Sequence, residues 1–151
     1  MTRDFADFLA ALNSAGASYV VIGGMAVLSH VPYRTTRDID VLIEPSLENA
    51  ERVRNAVRAW GGFEPEYSPA DFISGDILSF GGLLRVEVHS NVPGAEWSRV
   101  DERALAGELM GTPTRFASVA DLILMKEAAG RPDKDLPDLK RLRRLLEERP
   151  G

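Results

Sequence analysis

The alternation of apolar and polar positions divides this chain into short helices and strands. Phe5, Phe8, Leu9 and Leu12 recur at helical spacing and predict a first helix, opened by Thr2 and closed by Gly16. Tyr19 to Ile22 is an apolar run without polar alternation, the mark of a strand covered on both faces. Gly24 to Ser29 reads as a short helix ended before Pro32, and Asp38 to Ile43 as a second strand stopped by Pro45. Ser46 caps a helix reaching about Trp60, with Leu47, Ala50, Val53, Val57 and Trp60 as its buried stripe and Gly61-Gly62 as its end.

The second half is less regular. Phe72 to Phe80 and Leu83 to His89 flank Gly81-Gly82 as the arms of a hairpin. Asn91 to Arg99 reads as loop, and Arg103 to Met110 fits helix or strand. Gly111 to Phe116 reads as a turn followed by a short strand. Ser118 opens a helix through the capping box S-V-A-D, and Gly130-Arg131-Pro132 ends it. A last helix is expected from about Pro137 to Glu148. No internal repeat, low-complexity segment or linker interrupts the pattern, so residues 1–151 are read as one domain.

Composition narrows the function classes. The absence of cysteine excludes disulfides and thiolate metal sites, and nothing points to secretion. A formal charge of -5 argues against broad nucleic-acid coating while permitting a local basic patch. No apolar run is long enough to span a bilayer, and the amphipathic, acid-bearing N-terminus makes a poor signal peptide. The cytoplasm is the expected location.

Candidate chemistry concentrates between Tyr19 and Ile43. Gly23-Gly24, set between a strand and a helix, lets backbone approach a ligand and aims the first helical amides at an anion, or is simply a tight turn. Asp38 and Asp40 lie two apart in a strand and share a face while Ile39 points away. Like charges so placed call for compensation, by divalent magnesium, by solvent, or by Arg34 and Arg37. In the later strand, Val86 and Val88 face the core, so Arg85, Glu87 and His89 share the other face. Glu87 is the best placed third acid for two-metal phosphoryl transfer. Lys126 lies on the side of Val119, Leu122 and Ile123; it either snorkels to solvent or reaches into a cleft towards nucleotide phosphate. Asp135 and Asp138, in D-L-P-D, read first as helix-capping residues, with Arg131 and Lys134 as added positive charge. His30 and His89 have no zinc-ligand spacing around them, so no zinc is assigned.

Taken together, Gly23-Gly24, Asp38-Ile39-Asp40 and Glu87 resemble the signature of the nucleotidyltransferase superfamily related to polymerase beta. The version R-T-T-R-D-I-D is similar to small bacterial members, particularly the abortive-infection toxin type. Lys126, then Lys134-Asp135 and Asp138, match that type's later lysine, basic residue and acid pair. One departure stands out: the family's third acid is usually aspartate, and here it is glutamate.

The resemblance implies an α+β fold with a mixed sheet packed against helices and further C-terminal helices. It implies transfer of a nucleoside monophosphate from a nucleoside triphosphate to an acceptor hydroxyl. Asp38, Asp40 and Glu87 would be the catalytic residues and the Mg2+ ligands, with Gly23, Gly24, Arg37 and Lys126 binding the nucleotide. The acceptor classes are RNA such as tRNA, a protein, or a small molecule such as an antibiotic. The toxin-like pattern leans towards a toxin–antitoxin or defence role, with a homodimer or a cognate protein supplying further surface. A different class of reading is a non-catalytic antitoxin or partner-binding module that keeps the fold.

Overall fold

The structure, a computed structural model, describes residues 3–31 and 36–148. The cap expected of Thr2, the helix stop at Pro32 and the pairing considered for Arg34 lie outside those residues. The described residues form six helices and six strands in an α+β arrangement. In chain order these are α1 (Arg3–Ser14), β1 (Tyr19–Ile22), α2 (Gly23–His30), β2 (Asp38–Ile43), α3 (Leu47–Gly61), β3 (Leu78–Gly81) and β4 (Arg85–His89). Then come α4 (Trp97–Arg103), β5 (Leu105–Leu109), β6 (Thr112–Phe116), α5 (Val119–Ala129) and α6 (Pro132–Glu148).

The strands make one mixed sheet in the order β3-β4-β2-β1-β6-β5. β2 runs parallel to β4 and β1 parallel to β6; the other neighbours are antiparallel. All four residues of β1 are buried, so both faces of the sheet centre are covered, as the unbroken apolar run requires. α1 and α3 pack on each other, with Phe8 edge-on to Trp60 at 5.3 Å between ring centroids. α5 and α6 pair with each other, and both also contact α2. No helix among the described residues is long and apolar enough to cross a membrane.

Local signals set most boundaries. Ser46 accepts a hydrogen bond from the Asn49 amide and Ser118 from the Asp121 amide, so both act as N-caps. Gly62 and Gly130 close α3 and α5 in the left-handed conformation. The hairpin at Gly81-Gly82 is present, but its first arm is short. Phe72 belongs to a 3-10 turn over Pro69–Ile73 that is capped by Ser68, and the strand starts only at Leu78.

Three further expectations need correction. Leu47 is exposed instead of lying on the buried stripe of α3, because it sits in the first turn, beyond the packed positions Ala50, Val53 and Val57. The stretch read as loop up to Arg99 contains the start of α4, and the ambiguous stretch after it resolves into that helix's end and β5. Finally, α6 begins at Pro132, five residues before Pro137. Pro132 suits a first helical turn, and Asp133 and Asp135 complement the positive end of the helix dipole. Pro137 therefore lies inside the helix, and D-L-P-D is not its cap.

One buried polar side chain locks the sheet to α3. Asn49 is 1% exposed; its amide oxygen accepts from the Ser18 amide at 2.7 Å, and its nitrogen donates to the carbonyls of Ser18 and Glu44 at 2.9 and 3.0 Å. These bonds satisfy backbone at both the entry to β1 and the exit from β2. Asn49→Ala is expected to cost about 2–3 kcal/mol in urea unfolding, because backbone partners lose their hydrogen bonds. Arg52→Ala, which removes only the exposed pair with Glu48, should stay within about 0.5 kcal/mol of the parent.

Candidate functional site

The site grows out of the β1–α2 turn. Gly23 has φ +65, and a Cβ placed there would lie 2.5 Å from Asp40 Oδ2 and 3.1 Å from Asp40 Cβ. Only glycine meets both demands, the left-handed backbone and the vacant space. The pairing of Ile22 with Asp40 explains the approach, since the carboxylate emerges where β1 ends and α2 begins. Among the described residues no side chain caps the start of α2, so its first amides are free to meet a ligand.

The parallel pairing of β2 with β4 supplies the remaining acid. Asp38 pairs with Arg85, Asp40 with Glu87, and Leu42 with His89. Val86 and Val88 are buried in the core, so Glu87 and His89 share the face on which Asp38 and Asp40 lie. His89 Nε2 is 2.9 Å from Asp40 Oδ1 and 3.7 Å from Glu87 Oε2. Arg85 Nη1 stands 3.7 Å from Glu87 Oε1. Burial first, then a hydrogen bond with Asp40 and the charges of Asp40 and Asp38, push the Glu87 carboxyl above its ordinary range; the charge of His89 opposes them.

Asp38, Asp40, Glu87 and His89 line a cleft of about 540 Å³ together with Gly23 and Gly24 and with Lys126, Arg131, Lys134 and Asp135 of the helical wall. Lys126 does not snorkel away. Its ammonium lies 3.3 Å from Asp135 Oδ1 and 3.2 Å from Asp138 Oδ2, with the side chain 11% exposed. Asp135 is also met by Arg131, at 3.3 Å. Both aspartates of D-L-P-D therefore turn inward onto a lysine, and the capping role expected of them is not what they do.

Six of the seven residues singled out in the sequence, Gly23, Gly24, Asp38, Asp40, Glu87 and Lys126, line this cleft. Arg37 does not: its side chain is exposed, and its carbonyl accepts a hydrogen bond from the Arg85 amide. His89 is the residue the sequence undervalued. One ligand atom each from Asp40, Glu87 and His89 fall within 4.8 Å of one another, a group able to hold a metal ion. Its signal was present in the shared strand face of Arg85, Glu87 and His89. His30, by contrast, is spent on the Ala117 carbonyl at 2.9 Å.

A scan against protein-family models and a search of curated proteins both return no match to this chain.

Two outcomes follow from the geometry. Gly23→Ala should lower stability by more than about 1 kcal/mol, since left-handed backbone and contact with Asp40 are penalised together; a melting temperature equal to that of the parent would contradict this. The raised Glu87 pKa also carries a sign. The folded chain binds this proton more tightly than the unfolded chain, so stability falls as pH rises from the ordinary glutamate value through the raised one. In chelator, Glu87→Gln should thus be more stable than the parent at neutral pH, with the difference vanishing near about pH 4. Urea titrations across that range give the comparison, and a pH-independent difference would refute the assignment.

Proposed function

We propose that this chain is a divalent-metal-dependent nucleotidyltransferase, moving a nucleoside monophosphate from a nucleoside triphosphate to an acceptor hydroxyl. One juxtaposition carries the reading: three carboxylates from two paired strands, the uncapped start of α2 and a lysine border a single cleft. Its volume of about 540 Å³ suits a small-molecule ligand. The resemblance of these residues to the polymerase-beta-like nucleotidyltransferases supports the same reaction class.

The donor set fits a divalent cation. Among the described residues no lysine or arginine comes within ion-pair distance of Asp38 or Asp40, so their charge is left facing the cleft. Asp38, Asp40 and Glu87 would hold Mg2+, which when bound supplies charge neutralisation on the phosphates. The amides that open α2 donate to phosphate oxygens. Lys126 exchanges one of its acidic partners for a phosphate oxygen. Glu87, with its raised proton affinity, accepts the proton of the acceptor hydroxyl as that oxygen bonds to the α-phosphorus and the bond to pyrophosphate breaks.

An RNA such as tRNA, or a protein, supplies the acceptor hydroxyl, and a toxin–antitoxin or defence system is the setting that the motif pattern favours. A second reading, a non-catalytic module that binds a partner protein, draws on one observation: Lys126 is already satisfied by Asp135 and Asp138, and Asp40 by His89.

The test uses each α-labelled triphosphate with Mg2+ and cell RNA or extract. Label should move to a macromolecule in the parent and fall by about 100-fold or more in Asp40→Asn and in Asp38→Asn. A parent protein that neither binds a triphosphate nor transfers label would overturn the proposal. A stoichiometric partner retained by the double Asp38→Asn, Asp40→Asn variant would favour the second reading.

A further inference from the structure

Among the described residues, the acids of the cleft's strand wall outnumber the lysines and arginines that approach them. Asp40 and Glu87 are only 18% and 20% exposed, so solvent screens them incompletely. Arg85, itself 51% exposed, stands no closer than 3.7 Å to Glu87. Lys126 on the opposite wall is engaged by Asp135 and Asp138. Such a pocket draws a cation from solution, and its donor atoms decide which one.

Those donors are not all oxygen. His89 brings Nε2 to 2.9 Å from Asp40 Oδ1 and 3.7 Å from Glu87 Oε2. Donors bound to one ion at about 2.0–2.2 Å are separated by roughly 3–4 Å, so the three side chains are already close to ligating distance from a common point. Imidazole nitrogen favours transition metals, whereas Mg2+ is held through oxygens and keeps several of its waters. The cleft leaves the remaining coordination positions open to a ligand.

We propose that Asp40, Glu87 and His89 form a nitrogen-and-carboxylate site selective for a transition-metal dication, with Mn2+ and heavier ions of the row preferred over Mg2+. Asp38, facing the same cleft but outside this group, remains a ligand for an ion that bridges to phosphate. The inference rests on the nucleotidyl-transfer reading for the use of the metal, but not for its binding. It assigns His89 as a metal ligand beside Asp40 and Glu87.

The experiment titrates the purified full-length chain with Mn2+, free of nucleotide, by electron paramagnetic resonance, with Mg2+ as competitor. Mn2+ should bind about tenfold or more tightly than Mg2+, and pulsed spectra should show coupling to an imidazole nitrogen. His89→Gln should lose that coupling and bring the two ions close to equal affinity. Asp38→Asn should keep the coupling. If His89→Gln fails to fold, the spectrum of the parent decides alone. Bound Mn2+ without nitrogen coupling, or Mn2+ displaced by equimolar Mg2+, overturns the inference and leaves Mg2+-dependent nucleotidyl transfer standing. No divalent binding with or without a triphosphate overturns both.

Discussion

Gly23 and Asp40 compete for one small volume, and the rest of the site depends on how that competition is settled. Because the position carries no Cβ, the carboxylate of Asp40 lies directly against the turn. Because the same residue adopts φ +65, the chain passes from strand to helix without an intervening loop. The ladder of β1 on β2 then decides which acid meets the turn, and the ladder of β2 on β4 decides which acid stands beside it. A one-residue slip in either would turn these side chains into the core and bring Ile39 or Val86 to the cleft. The apolar residues between the acids therefore protect the site: Ile39, Val41, Val86 and Val88 are almost wholly buried and would resist such a slip.

Charge is handled in opposite ways on the two walls. Among the described residues, the acids of the strand wall are approached by an arginine only where Arg85 stands 3.7 Å from Glu87. On the helical wall, Lys126 is shared between two aspartates, and Arg131 adds to Asp135. A lysine that is 11% exposed between two acids is weak support for stability in itself, because desolvation offsets much of the attraction. Its clearer effect is on geometry. It ties the end of α5 to the first turns of α6, while Leu139 and Leu142 anchor the same helix in the core. The lysine is thus held at the cleft, where its partners are carboxylates that a phosphate resembles in charge and hydrogen-bonding capacity.

Much of this was legible in the residues, and what was not has physical causes. Serine caps, glycine stops and the apolar run of β1 act within a few residues of themselves, so the local pattern revealed them. The strand faces carrying Asp38, Asp40 and Glu87 follow from a period of two. The start of α6 was obscured by Pro137, whose presence normally marks a helix's first turn; here Pro132 holds that position, and Pro137 falls early enough that the bond it forgoes is to the first turn's own carbonyls. Phe72 has the composition of a strand residue, yet Ser68 and Asp71 fold it into a capped turn. Arg37 sat beside the acids in sequence, but it lies just before β2, exposed and off the cleft, with its carbonyl bonded to the Arg85 amide. His89 shows the remaining gap: its tie to Asp40 spans 49 residues and exists only once β2 and β4 pair.

That pairing also makes sense of the glutamate at the third acidic position. Glu87 lies directly opposite Asp40, and His89 is two residues further along the same strand, level with Leu42. The imidazole must therefore reach diagonally back to Asp40, and it does so at 2.9 Å. An aspartate at position 87 would set a short carboxylate shoulder to shoulder with Asp40. The longer glutamate side chain keeps its carboxyl in hydrogen-bond contact with Asp40 while its two oxygens also approach strand neighbours, Oε1 towards Arg85 and Oε2 towards His89, each at 3.7 Å. Glutamate at this position and histidine two residues later thus work as a pair. Both meet Asp40, the glutamate through a hydrogen bond between the carboxyls and the histidine at 2.9 Å, so a substitution at either residue changes what the other can hold.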